Sequence, residues 1–503
     1  MRAAAADGPT MLAESAAASG GAAHALVAAD ASRGFELLGA AAAVLRCVLV
    51  RVDETATAVG DDSGRRLLLQ LTVHHVAFDG ASTGVLLGEL GVLCGAQSGA
   101  TDAPSLPPLA LQYVDYALWQ RGDALAPHLA SQRAYWRSAL REGELPPLEL
   151  PLDFPRPAAQ TFAGDAVPAR VASADGVAGL EGLGRSAGGC TLFQLVVCVW
   201  AVLLCRHAGQ EEVVVGSPYH GRDAAGTEAL IGYFVNMLAL RVEALRRGTV
   251  SSLVAGARDA ASGGMRHALL PFQLIVHELL PRRAHDASRN AVFQAMVAWG
   301  ADADERVRRS AGGTDGSSGF SGGLDARPAE IGAAHRVAKV EVTLSAGVSG
   351  SGGGIEGGIE FNTDLFARGG VARLAARLAV LAGGLACSPD ASVWSARMTP
   401  EAEAARVLWR FNDTGAAWPT EACVHELVGA QAARTPAGVA LEWAGSTLTY
   451  AALQGCACAV GAWLAAHGAC ADRVVALELH RSLEQVVGVV GSLASGGAYL
   501  PLD

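Results

Sequence analysis

The sequence predicts an α/β protein of more than one domain. Strand-like alternating runs are interleaved with helix-period runs along most of the chain. One stretch, Leu192 to Cys205, is apolar on all sides apart from Gln194, as a helix inside a lobe would be. At roughly 150 residues per domain, the length suits three domains, or two with one large. The chain has 503 residues, 51% hydrophobic and 17% charged, which fills a sizeable core and excludes a chain disordered throughout. Acidic residues outnumber basic ones 49 to 38, a net charge of −11, which argues against a general nucleic-acid binder. Lys339 is the single lysine in a chain rich in Ala and Gly, a compositional bias from which no function follows.

In chain order, residues 1–34 lack strong periodicity and are expected to be poorly ordered. Ala43 to Val52 and Arg65 to His75 read as strands, and the turn VGDDSG between them makes a β-hairpin. A helix follows over Ser82 to Gln97, with Leu86, Leu90, Leu93 and Cys94 on one face. Past the proline-rich stretch Pro104 to Pro108, LQYVDYALWQR and AYWRSAL read as helical. LELPLDFPRP reads as an extended crossover, because residues before proline avoid the helical region. Thr191 with Gln194 fits a capping box opening the apolar helix, and Gly209 fits its stop. EVVVG (212–216) reads as a buried strand, and VAKVEVTLSA and GGIEFNTD are strand-like. AGGTDGSSGFSGG (311–323) and SGSGGG (349–354) read as flexible surface insertions. A new pattern begins near Val424.

The fourteen-residue apolar run falls short of the about twenty that a membrane span needs, so it reads as a buried helix. The start of the chain has no basic region followed by an apolar core, unlike a secretory signal. The ten scattered cysteines lack zinc-finger spacing and read as small buried hydrophobes in a reducing compartment. The expectation is a cytoplasmic protein with no metal.

One constellation carries chemistry: His74-His75-Val76-Ala77-Phe78-Asp79-Gly80. On the preceding strand Leu67, Leu69, Leu71 and Val73 share one face, which His75 continues, and His74 falls on the other with Arg66, Gln70 and Thr72. His75 thus leaves the apolar side of a strand at its end. A buried imidazole there is partly desolvated, stays neutral near pH 7 and accepts a proton. Asp79 sits where the chain turns and Gly80 permits a tight backbone. A carboxylate at that depth needs a cationic partner or costs several kcal/mol, so its role is to hold the loop. The other reading, two core histidines and an Asp-Gly turn, stays open on these letters alone.

HHxxxDG resembles the signature of the condensation-domain superfamily, whose members look like chloramphenicol acetyltransferase. Seven further stretches resemble, in order, segments of nonribosomal peptide synthetase condensation domains: YVDYALWQ (113–120), LELPLDFPRP (148–157), TLFQLVVCVWAVLL (191–204), EEVVVGSPYHGR (211–222), IGYFVNMLALR (231–241, beside the family's IGFFVNTLxLR), LLPFQLIV (269–276) and DASRNAVFQAMV (286–297). FNDTGAAWP (411–419), VHELVGAQAARTPAGVAL (424–441), LTYAALQ (448–454) and LASGGAYLPLD (493–503) resemble the entry of an adenylation, AMP-binding domain, with Ala494 at the usual lysine position. The resemblance implies a two-lobed, chloramphenicol acetyltransferase-like α/β fold with an incomplete first lobe (35–155), a second lobe (156–386), a linker (387–420) and a truncated adenylation start (421–503).

That resemblance implies amide bond formation between two thioesters carried on the 4'-phosphopantetheine arms of upstream and downstream peptidyl carrier domains. His75 takes the role of general base or amine-orienting group, with His74, Asp79 and Gly80 as catalytic-loop support, the Gly80 N–H being a weaker candidate for the oxyanion. Asn236 either lines the site or is a structural amide. Arg222 meets a pantetheine phosphate or pairs with an acid, and the pair is preferred. Tyr113, Trp119, Trp136 and Phe272 are expected in the core rather than at the site. The chain itself would bind no cofactor, ATP and Mg²⁺ belonging to a complete adenylation domain, and would engage neither nucleic acid nor membrane.

Three departures from the family stand out. The PLSxxQ and HExLRT segments of the first lobe have no counterpart before residue 35. HExLRT carries the family's arginine partner for the signature aspartate, which leaves Arg46 as a substitute for Asp79. The chain stops at the second adenylation motif, so the remainder of that domain is a further partner. Ala81 follows DG where tryptophan is common. The expectation is a synthetase fragment whose isolated chain is crippled. The rivals are a non-catalytic carrier-docking platform and a stand-alone coenzyme A-dependent acyltransferase; residues 411–503 speak against the latter.

Overall fold

The computed structural model describes residues 12–17, 19–38, 43–53, 65–97, 106–122, 125–141, 145–279, 286–300, 337–349 and 353–502. The expected VGDDSG turn, the 311–323 insertion and residues 350–352 of the 349–354 insertion lie outside these residues. The chain divides into two units, Met1–Ala404 and Ala405–Asp503.

The first unit opens with a three-stranded sheet: β1 (Leu12–Ala17), β2 (Leu45–Asp53) and β3 (Arg65–Val73), with β1 parallel to β2 and β3 antiparallel to it. Helix α1 (Gly20–Ala31), capped by the Ser19 hydroxyl, packs on this sheet. Residues 1–34 were expected to be poorly ordered; residues 1–11 lie outside the described residues, and Leu12–Ala17 and Gly20–Ala31 form β1 and α1 instead. Their local signal is weak because α1 is built of alanine and glycine, and it is fixed by burial of Ala23 and Val27 against Ala17, Val50 and Val52.

That packing also reverses the expected face of β3. Leu68, Gln70 and Thr72 turn toward α1, while Leu67 and Leu69 are 62% and 47% exposed. The polar letters misled because Asp30 of α1 receives them: Gln70 donates to the Thr72 hydroxyl at 2.9 Å, and that hydroxyl donates to Asp30 at 3.4 Å.

Helix α2 (Gly80–Gln97) follows, then α3 (Tyr113–Arg121) and α4 (Ala126–Ala139). The crossover 146–157 has no regular structure.

The larger core belongs to a six-stranded mixed sheet in the order β4-β9-β8-β7-β5-β6. Its strands are β4 (Gly164–Ala172), β5 (Glu212–Tyr219), β6 (Asn236–Glu243), β7 (Ala295–Trp299), β8 (Val342–Val348) and β9 (Ile355–Asn362). Helices α5 (Ala174–Ser186), α6 (Leu192–Ala208), α7 (Val250–Arg266) and the long helix Arg368–Cys387 pack on one another and on this sheet.

α6 is the centre. Thr191 and Gln194 close a reciprocal capping box at 3.3 and 2.9 Å, and Gly209 ends the helix at φ 69°, a conformation glycine adopts without penalty. Every residue from Gln194 to Cys205 is buried. Burial pushes the Cys205 thiol up to about 12, so it is an inert packing group.

The cysteine expectation holds for Cys198 and Cys205. It fails for Cys387, Cys423, Cys456, Cys458 and Cys470, which are exposed. By length and a mean hydropathy of 1.5, Arg368–Cys387 is the one described helix apolar enough to cross a membrane; its Leu374, Leu378, Leu381 and Leu385 are buried inside the unit.

The second unit has helices Val424–Arg434, Tyr450–Ala466 and Leu483–Ala494. An antiparallel pair, Val439–Trp443 with Ser446–Thr449, accompanies a parallel pair, Val474–Glu478 with Ala498–Leu502, joined through the last helix.

Candidate active site

β3 ends at Val73, and the His74 N–H still pairs with Val44 of the hairpin at 2.8 Å. A single 3₁₀ turn, His75–Ala77, then carries the chain into α2. The turn sets the two histidines to different tasks. His74 Nδ1 accepts the Val76 N–H at 3.1 Å, so its ring proton sits on Nε2. His75 Nδ1 lies 2.6 Å from the Phe78 carbonyl, which only accepts, so Nδ1 carries a proton, and in the neutral ring the lone pair is on Nε2. His75 is exposed, which corrects the expected burial: it continues the face of Leu67 and Leu69, which the packing of α1 on the opposite side leaves open. The Tyr233 ring stands edge to face against it, centroids 5.3 Å apart.

Asp79 is fully buried and caps α2, its Oδ1 accepting the Ser82 N–H at 2.8 Å. The same oxygen accepts from the Ser82 hydroxyl at 2.8 Å and from Arg222 Nη2 at 2.9 Å, and Oδ2 accepts the Phe234 N–H at 3.1 Å. Burial raises the carboxyl's pKa, but the bonds from Ser82, Arg222 and Phe234 outweigh it and hold it below the usual value. Gly80 opens the first turn of α2, where backbone N–H groups have no partner within the helix.

Arg222 is the cation Asp79 requires. Besides Asp79 it donates to the Ser82 hydroxyl at 2.9 Å and to the Thr227 and Leu230 carbonyls at 2.7 Å, and it lies over the Phe234 ring. With its side chain 7% exposed and four hydrogen bonds engaged, it is closed to a phosphate. Arg46, named as the substitute partner, is overturned. It pairs with Asp30, caps the Asp30, Arg33 and Gly34 carbonyls and covers the Phe35 ring.

Asn236 donates to the Ala268 and Leu270 carbonyls, both at 2.7 Å, and accepts the Met237 and Phe272 N–H groups, both at 2.9 Å. Each N–H and each lone pair is used, so it stitches β6 to the 268–272 segment and has nothing left for a substrate. Trp136 is core, and Phe272 and Tyr113 are half-buried, but Trp119 is 40% exposed, against expectation.

Three residues were not read as part of the site in the sequence, Tyr113 having been expected in the core. The Ser82 hydroxyl, its single proton given to Asp79, accepts the Gly232 N–H at 3.1 Å. The Tyr113 hydroxyl donates to the Tyr233 carbonyl at 2.8 Å. The remaining one is Tyr233 itself. Only Ser82 left a local trace, standing three residues after a capping aspartate; the other two act across the fold. Among the described residues no cluster of His, Cys, Asp and Glu has metal-ligating geometry.

The arrangement offers an exposed imidazole on a hydrogen-bonded loop, next to the buried ion pair of Asp79 and Arg222. A family model described as Condensation domain matches residues 56–408, and one described as AMP-binding enzyme matches 428–503. Malpinin synthetase of Mortierella alpina is 34% identical over 436 residues, covering 87% of this chain and 5% of that protein. Tyrocidine synthase 3 of Brevibacillus parabrevis is 32% identical over 447 residues, covering 88% and 6%. The chain therefore spans a small part of these relatives. Among solved structures, a four-domain nonribosomal peptide synthetase bound to AMP and glycine aligns with a TM-score of 0.72 at 21% identity, over 97% of this chain and 36% of that one. The X-domain from teicoplanin biosynthesis aligns at 0.62 and 23%, over 77% and 81%.

Proposed function

The chain belongs to the condensation-domain family, continued by the opening of an AMP-binding enzyme domain, and from this we propose that it joins two carrier-tethered substrates through an amide bond. The acceptor's α-amine attacks the donor thioester carbonyl. The C–N bond forms, the C–S bond breaks, and the donor's pantetheine leaves as a thiol. The thioester is already activated, so no covalent enzyme intermediate is needed. The protein must align the two arms, which contributes about 7–11 kcal/mol where alignment is good, and move one proton.

The observation that carries this reading is the His75 tautomer. With Nδ1–H tied to the Phe78 carbonyl, Nε2 is the acceptor for the amine proton, which it then returns to the departing thiolate. His74 and Asp79 hold the loop. The Gly80 N–H, at the positive end of α2, is the weaker candidate for stabilising the developing oxyanion. Upstream and downstream carriers, and the rest of the adenylation domain, are the partners. The protein works in the cytoplasm, where its exposed cysteines stay reduced.

The test is single-turnover product formation from two loaded carrier proteins, with the parent chain and His75→Ala compared side by side. Loss of a positioned base lowers the rate by roughly 10²–10⁴-fold. Equal product from both would overturn the role of His75. Carrier binding with no product from the parent would favour a docking platform.

A further inference from the structure

His75 is held by a single ring nitrogen. With Cβ as the other anchor, that one hydrogen bond restrains the ring but leaves a tilt about χ2 that shifts where the far nitrogen aims. The second constraint is the Tyr233 ring, with interplanar angle 83° and a centroid separation of 5.3 Å.

Tyr233 cannot drift, because its backbone is sewn down on three sides. Its own carbonyl accepts from the Tyr113 hydroxyl at 2.8 Å. Gly232 before it is bonded to the Ser82 hydroxyl, and Phe234 after it donates its N–H to Asp79 at 3.1 Å. Asp79 ends the loop that carries His75, and Ser82 lies in the first turn of α2 that follows it. The ring and the imidazole it faces are therefore fixed to one frame, though Tyr233 and His75 come from different lobes.

We propose that Tyr233 is a positioning residue for condensation: its ring, set edge to face against His75, fixes the plane of the imidazole and so the direction of the Nε2 lone pair. This rests on the reading of His75 as the proton acceptor. The aromatic ring is the working part. The similar family segment carries phenylalanine at this position, and the hydroxyl has no hydrogen bond among the described residues.

The experiment has two arms, chosen to fail separately. In the first, the full chain is labelled with ¹⁵N,¹³C-histidine, and the His75 ring signals are assigned by their loss in His75→Ala. Tyr233→Phe leaves the His75 ring shifts and the Nδ1–H tautomer in place. Tyr233→Leu moves the ring shifts and raises the share of the other tautomer. Tyr233→Met serves if the leucine variant does not fold, as judged by the tryptophan indole signals. This arm needs no substrate, so it stands whether or not the chain condenses.

The second arm is turnover with loaded carriers. Tyr233→Leu lowers kcat about 10- to 100-fold, the loss expected of a misaimed group. KM for the carriers stays within about twofold, because misaiming leaves ground-state binding intact, and Tyr233→Phe restores kcat. Unchanged His75 signals in the leucine and methionine variants overturn the proposal. So do altered signals with unchanged kcat, and so does failure of phenylalanine to restore it. Normal product from His75→Ala would instead sink the functional reading and leave the spectroscopic contact standing.

Discussion

Arg222 and Asp79, 143 residues apart in sequence, meet at 2.9 Å with side chains 7% and 0% exposed. A buried ion pair is weak evidence of net stability, yet removing one partner strands the other charge. Arg222→Met should therefore destabilise the chain by about 3–5 kcal/mol. Arg222→Lys should rescue little of this, since an ammonium cannot reach Asp79, Ser82, Thr227 and Leu230 together. Urea unfolding measures both, and a methionine variant as stable as the parent would show that the pair does not hold the first unit together.

The same carboxylate gives the acid limb of stability its shape. Its folded pKa is lowered, net of the burial that raises it, by Ser82, Arg222 and Phe234. A carboxyl of that kind contributes stability that is fully present above its unfolded pKa, about 3.9, and lost as pH falls through the lower folded value. Urea midpoints of the parent and Asp79→Asn should lie farthest apart near neutrality and converge below about pH 4. A gap that stays constant with pH would contradict this origin.

Gly232 is a glycine for a steric reason: a Cβ there would overlap the Tyr113 ring. Gly232→Ala must push that ring aside and with it the Tyr113–Tyr233 bond. A loss of about 1–3 kcal/mol is expected for such overpacking. Tyr113→Ala removes the obstacle, so the double variant should be more stable than the two single losses summed, by at least about 0.5 kcal/mol. Additive losses would place the strain elsewhere.

How much of this was legible depended on whether the cause was local. The caps of α6 could be read because Thr191, Gln194 and Gly209 act within one helix. The HHVAFDG turn was legible because a strand end, two imidazoles and a capping aspartate are contiguous. The face of β3 was not, since it turns on Asp30 in a helix of nearly featureless alanines. The partner of Asp79 was sought nearby at Arg46 and lies instead at Arg222, because a buried charge is met by whatever the tertiary fold brings to it. Tyr233 escaped for the same reason: nothing in IGYFVN points to His75.

A second histidine gives the last prediction. His207, in the final turn of α6, donates from Nδ1 to the Leu203 carbonyl at 2.8 Å, so Nε2 accepts from Arg377 at 2.7 Å. Arg377 also grips Glu403. Arg206 adds a second cation near the ring, and Arg373 adds one beside Glu403. Protonating His207 would set an N–H against a guanidinium. Burial first, then Arg377 and Arg206, hold its pKa below the ordinary value, against the opposing pull of the Leu203 bond and Glu403. A histidine lowered in the folded state contributes stability that is present above its unfolded pKa, about 6.5, and lost as pH falls through the folded one. Between about pH 7.5 and 5 the parent should lose stability more steeply than His207→Met, which lacks the titrating ring. Urea midpoints across that range decide it: parallel curves would mean that the neutral imidazole is not what secures Arg377 and, through it, Glu403.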